Sequence, residues 1–311
     1  MYSRRLNDIL NFCFCLIAVS FLFIYPQSCI EAAKDGVTTA LYIVLPSIFP
    51  FMVLSKFIIA RNLHYLASKI IGKPFEFLFG VNRKYAVVFV LGCIGGYPIG
   101  AIAINELLKK DEITVKDAEF LLGFCNNSGP MFIIGTVGTL MLNNTSYGYI
   151  LYIIHILSVI LGGIIMRIIL RPSIKTCALN TYKNNLSVSN SVTSSASAMI
   201  NIASYIIIFS VIAKFVTVFL DAKSFRALLV LSALEVTTGI KYTSLSSINE
   251  ILKISLISSA LGFSGLCVFS QSKAVFENVK FSFSKYIFSK LIIAIISFVT
   301  TAITFTIIFS Y

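Results

Sequence analysis

Apolar residues come in long runs along this chain, and polar residues come in short breaks between and inside those runs. The runs cover residues 6–25, 37–60, 120–142, 147–170, 196–220, 248–270 and 286–309. A bilayer core takes about 20 apolar residues of helix to cross, so each run predicts a transmembrane helix. Two shorter apolar pairs, at residues 85–108 and around residues 234–240, are interrupted near their middles. Their halves are too short to cross, which predicts re-entrant hairpins. Pro46 and Pro50 predict a bend in the second run. Residues 61–84, with Arg61, Lys69, Lys73, Arg83 and Lys84, read as a basic amphipathic stretch on the cytoplasmic surface. Residues 173–195 are rich in Ser, Asn and Thr and read as a linker.

The breaks carry the candidate chemistry. Pro130 lacks an N–H and restricts Gly129 before it, so the run 120–142 reads as a helix broken at membrane depth. Irregular backbone there must face protein or water, and secondary transporters build substrate sites at such breaks. Four breaks supply the candidate substrate-binding residues: Gly95, Gly96, Tyr97, Pro98 and Gly100; Asn126, Asn127, Ser128, Gly129 and Pro130; Glu235, Thr237, Thr238 and Gly239; Ser264 and Gly265. In the first two, proline would open the second half-helix, with Asn127 or Ser128 near the cap. The free N–H groups and the dipole there favour an anion or a polar ligand group. Asn126, Asn127 and Ser128 also fit a purely structural role, bonding one helix to another. Gly92, Gly96 and Gly100 recur every fourth residue and also fit a close packing ridge.

Glu235 is ionisable in an apolar setting, which marks function by default. It suits a coupling proton, a Na⁺ ion or a substrate contact; the alternative is an ion pair with Lys241 or with a lysine of another helix. Lys56 and Lys214 lie near span ends and read as snorkelling, whereas an inward orientation would favour an anionic substrate. Glu106 and Glu119 read as solvated beside a charged link, and Gln271 as interfacial.

The two halves match in order. Phe124 pairs with Phe263, Gly100 with Gly239 and Tyr147 with Tyr286, all at an offset of 139, and Lys56 pairs with Lys214 at 158. The division predicted is a first helix with an outer link at 1–36, a first repeat at 37–172, a cytoplasmic linker at 173–195 and a second repeat at 196–311. Three crossings per repeat invert the second copy. Charge supports that topology. With the N-terminus in the cytoplasm, most Lys and Arg residues, from Arg4 and Arg5 through Arg167, Arg171, Lys175 and Lys183 to Lys285 and Lys290, fall inside. Only Lys34, Lys223, Arg226, Lys241 and Lys253 fall outside, as the positive-inside rule demands. The fold class predicted is an all-α integral membrane protein of about seven transmembrane helices plus two re-entrant hairpins, with the C-terminus outside.

Composition narrows the function. The chain is 57% hydrophobic and 12% charged with no Trp, which excludes an ordinary soluble domain. The basic excess lies between apolar runs, so nucleic acid is not an expected partner. Seven cysteines without a CxxC pair read as small hydrophobes. Two histidines, His64 and His155, without an HExxH pattern predict no metal site and no cofactor. No paired nucleophile and base is visible, so an enzyme is not expected. The first run looks like a signal peptide without a small-x-small cleavage site and reads as an uncleaved span.

At GGYPIGA, the link ending in Ala118 and Glu119, FCNNSGPMFIIG, LEVTTGI and GFSGLCVFSQ, the chain resembles the YlbJ-type sporulation integral membrane proteins, which carry the nucleoside-recognition or Gate domain. The likeness covers roughly residues 41–305. It implies a substrate-translocating membrane protein: the family is implicated in moving dipicolinic acid across the outer forespore membrane, and its Gate domains are related to regions of nucleoside transporters. The expectation is a transporter or permease in the bacterial cell membrane, working by alternating access on a small polar solute, anionic or aromatic. Its partners would be that solute and the lipid bilayer; a coupling ion, H⁺ or Na⁺, and homo-oligomerisation stay open. The alternatives are a nucleoside-type transporter and a non-transporting membrane scaffold or assembly factor.

Overall fold

In the computed structural model, residues 2–61, 63–170, 188–222 and 224–310 are described. All regular structure among them is helical. The elements are α1 (Tyr2–Ile24), α2 (Pro26–Thr38), a π-helical segment (Thr39–Val44), α3 (Leu45–Ala60), α4 (His64–Phe79), a 3₁₀ turn (Arg83–Tyr85), α5 (Ala86–Gly95), α6 (Ile99–Lys109), α7 (Val115–Cys125), a second π-helical segment (Met131–Met141), α8 (Thr145–Leu170), α9 (Val188–Phe219), α10 (Phe225–Leu234), α11 (Val236–Ser244), α12 (Glu250–Phe263), α13 (Gly265–Val275) and α14 (Ser284–Ser310).

Five helices among the described residues are long and apolar enough to cross a membrane: Pro26–Ala60, Thr145–Leu170, Ser189–Phe219, Glu250–Val275 and Ser284–Ser310. A sixth arises if Ser68–Phe79 and Arg83–Gly95, bent by 113°, count as one span. The outward faces confirm the setting. On α14, Leu291, Ile295, Val299 and Ile303 recur every fourth residue, each between 46% and 64% exposed. A soluble protein does not present such apolar ridges to water, and lipid is the solvent they suit. The chain is an integral membrane protein.

Two local expectations are corrected. Glu31, Lys34 and Asp35 lie on α2, not in an outer link, because the helix starts at Pro26, a residue suited to a first helical turn. That helix then widens into the π segment just ahead of Pro46, whose missing N–H interrupts the regular ladder. The basic stretch 61–84 is built around α4, whose Phe75 and Phe79 are buried against Phe89 and Phe124. Gly80 ends α4 in the left-handed region, and Arg167 of α8 donates to the Phe77 and Leu78 carbonyls at that end. Of the linker, residues 173–187 lie outside the described residues, with Arg171, Lys175, Lys183 and Lys223. From Val188 onward it is helix, because Thr193 and Ser194 turn their hydroxyls back onto the carbonyls of Ser189 and Ser191.

Inside, small and polar residues let helices approach closely, as membrane interfaces favour. Thr301 of α14 donates to Ser258 of α12 at 2.7 Å, and Gly262 lies against the Ala294 backbone. α2 and α3 pack along α9, and α8 packs along α14. α5 folds back on α6 across Gly96–Pro98, and α10 on α11 across Glu235.

Candidate functional site

The breaks touch in pairs, backbone against backbone. Gly96, at φ +82°, lies against Gly129, where a Cβ on either would come within about 3 Å of the other's nitrogen. Gly265, at φ +81°, lies against the Val236 nitrogen in the same manner. Both left-handed glycines allow a contact that a side chain would prevent. The Tyr97–Pro98 peptide is cis.

The two pairs then meet at a small cavity of about 50 Å³. Gly95, Gly96, Tyr97, Ser128, Gly129, Glu235 and Thr237 line it, with Ser47, Phe132, Ile202, Ile206 and Gln271. That space suits a few waters, not a solute of drug size. The Tyr97 and Ser128 hydroxyls lie buried near one another at its wall without a well-formed hydrogen bond. Buried hydroxyls left unpaired are costly, so this wall is short of polar partners.

Two further cavities share walls with the first. One of about 210 Å³ is lined by Lys56, Pro98, Glu106, Lys109 and the Ser194–Tyr205 face of α9, and shares Ile202 and Gln271 with the centre. The other, of about 130 Å³, is lined by Glu31, Asp35, Thr238, Lys241 and the α9 residues Ser210, Lys214 and Thr217, and shares Thr237. Successive stretches of α9 therefore border all three.

Glu235 is 3% exposed and its carboxylate accepts from the backbone N–H of Thr237 at 3.0 Å and of Thr238 at 2.6 Å. It caps α11, where an anion also meets the positive pole of the helix. Its engagement is with these amides, whereas the sequence offered an ion pair with Lys241.

Asn126 and Asn127 are fully buried behind the cavity, not on its wall. Asn126 donates to Ser272 at 3.0 Å and to the Tyr286 hydroxyl at 2.9 Å. Asn127 donates to the Phe124 carbonyl at 2.7 Å and accepts from Lys290 at 3.1 Å. The capping role expected of Asn127 or Ser128 is not met, because Lys290 and the end of α7 take both ends of the Asn127 amide. Pro130 itself occupies the cap position of the following segment. The free N–H of Ser128 donates to His155 of α8 at 3.3 Å. Gly100 and Gly92 clasp the Cys125 carbonyl, so the four-residue glycine spacing serves both packing and break. Gly239 packs on the Ser232 backbone, and Ser264 is buried at the α12–α13 break.

Lys290 is the residue the sequence reading misplaced. It stands among the cytoplasmic lysines there, yet it is 0% exposed and donates to the Asn126 carbonyl and to Asn127. A lysine inside the run 286–309 was the available signal, since ionisable groups within a span default to function. Glu119 is also corrected: it is buried and accepts from Ser282 N–H and Lys285, each at 2.7 Å. Gln271 is 6% exposed and lies on the cavity wall, not at an interface with solvent.

Comparison with known proteins gives one curated relative. The chain is 27% identical, over 331 aligned residues, to the sporulation integral membrane protein YlbJ of Bacillus subtilis (strain 168), covering 94% of this chain and 81% of the relative. That similarity supports a YlbJ-type family assignment. No family model matches the chain. No solved structure matches it.

Proposed function

We propose, with the YlbJ-type assignment as premise, that this protein is a sporulation-associated transporter or permease that moves a small polar solute, dipicolinate-like in being anionic and aromatic, across the membrane by alternating access. The observation that carries the reading is the meeting of the broken helices at one cavity, with a wider chamber on either side along α9. Broken helices around a central site are how secondary transporters hold a solute away from lipid.

Three features add support. Element bounds repeat at the step of 139, from Ala86 to Phe225 and from Thr145 to Ser284, as two related units would. The matched lysines fall on opposite chambers, Lys56 on one and Lys214 on the other, as antiparallel units would put them. Those chamber-lining lysines, with Tyr97 and Phe132 at the centre, suit an aromatic anion. In this reading the narrow centre is an occluded state, and the solute enters as one unit swings against the other.

Uptake into proteoliposomes tests it. Labelled dipicolinate should enter vesicles containing the protein faster than empty ones, with nucleosides as the comparison. Ile206→Trp should abolish that uptake by filling the centre. Equal leakage with and without protein, for dipicolinate and nucleosides alike, would overturn the reading in favour of a scaffold.

A further inference from the structure

The ends of broken helices have two poles. The N-terminal end of a half-helix favours anions, and the C-terminal end, with its unwound carbonyls, is where transporters coordinate a coupling Na⁺. In this protein α7 ends at Cys125 and unwinds at Asn126, and that C-terminal end is occupied by a side chain. Resting on the transporter reading, we propose that the Lys290 ammonium is a tethered cation standing at the position where a carrier of this build would bind Na⁺, so that solute movement does not draw on Na⁺.

The donor set is that of a cation site. The ammonium donates to a backbone carbonyl, that of Asn126, and to the Asn127 side-chain oxygen at 3.1 Å. Both are neutral oxygens of the kind that replace the hydration shell of a hard cation. The Asn126 side-chain amide donates to Ser272 and Tyr286, while its backbone carbonyl accepts from the lysine. The carboxylates nearby in the fold are engaged elsewhere: Glu119 with Ser282 and Lys285, and Glu235 with the amides of Thr237 and Thr238. The other titratable side chains around Lys290, namely Cys93, Cys125, His155 and Tyr286, are not carboxylates. The cation is thus held by dipoles, as a bound metal ion would be, and not by an ion pair. A fully buried lysine without a carboxylate is expensive to keep. Dipoles at the end of a half-helix are what make it tolerable here.

Lys290 is a positioning residue in this account, because it holds the break through Asn126 and Asn127 and does not line the central cavity. Filling the site from within fixes the break in one geometry without an ion from solution.

The test uses purified full-length protein melted in detergent, followed by circular dichroism because the chain has no Trp. Wild type should melt at the same temperature in sodium chloride and in choline chloride at equal ionic strength. Lys290→Ser should melt lower in choline and regain roughly 2–4 °C or more in sodium or methylammonium chloride, since a ligand that binds only the folded state raises its stability. A wild-type melt raised by sodium would overturn the proposal, and so would a folded Lys290→Ser protein indifferent to all three cations. Should that variant fail to fold, radiosodium binding to wild type decides: saturable binding overturns the proposal and its absence supports it. None of these readouts needs transport, so a failure of dipicolinate uptake remains distinguishable from a failure here.

Discussion

Gly92 approaches Cys125 so closely that a Cβ on the glycine would stand 1.7 Å from the cysteine's carbonyl oxygen. The obstacle is backbone of α7 and cannot rotate aside. Gly92→Ala should therefore cost about 1–3 kcal/mol or more in stability, the range for overpacking a tight interior. Gly135→Ala is the control, because nothing lies within 4 Å of a Cβ there. It should be neutral or stabilise by about 0.5–1 kcal/mol, the usual helix preference for alanine. Paired melts of the two purified variants check this, and equal melting temperatures would contradict the clasp.

Glu235 joins two roles that substitution can separate. Glu235→Ala removes the acceptor for two amides of α11 and should cost about 1–2 kcal/mol, as loss of a cap does. Glu235→Gln keeps one acceptor oxygen and should lose less. If the carboxylate serves only the cap, dipicolinate uptake by the Gln variant should follow its stability. Uptake lost in a Gln variant that melts close to wild type would instead mark the charge itself as part of the transport cycle.

Asn126 and Tyr286 hold the break and α14 together at 2.9 Å. Asn126→Ala and Tyr286→Phe should each destabilise by about 1–3 kcal/mol, since each removes a buried hydrogen bond and leaves the other residue with Ser272 alone. The double variant should lose less than the two singles added together, with a coupling of at least about 0.5 kcal/mol. Additive losses would mean that the bond contributes nothing of its own.

The proposed antiparallel arrangement makes a labelling prediction. In a cysteine-free background, single cysteines at Ser224 and Ser282 should react with impermeant reagent from opposite sides of the membrane. Ser282 lies on the basic link before α14, and Ser224 caps α10. Reaction of both from one side would remove the inverted relation between the two halves.

The parts of this molecule that are local in origin were legible in the sequence. Proline and glycine mark the ends of α5 and α7, and the apolar runs locate α8, α9 and α14 to within a few residues at most boundaries, the start of α9 excepted. Gly96 and Gly129 could be named as breaks from their neighbours alone. What escaped depends on which elements come together in space. Lys290 and Lys285 look alike as chain neighbours, yet one is enclosed by the end of α7 and the other pairs with Glu119 near the surface. Asn127 carries the composition of a helix cap, but a lysine distant in sequence claims its oxygen. The start of α9 was hidden for a different reason: serine and threonine suit loops in water, but bond back onto their own helix when hydroxyls lack other partners.

One helix, α9, forms a wall of all three chambers. Turning it about its long axis by one residue's arc, roughly 100°, would present a different row of side chains to every chamber in the same instant. The compartments thus share a single wall: a rotation that reshapes one chamber reshapes the others as well, with no separate linkage between them.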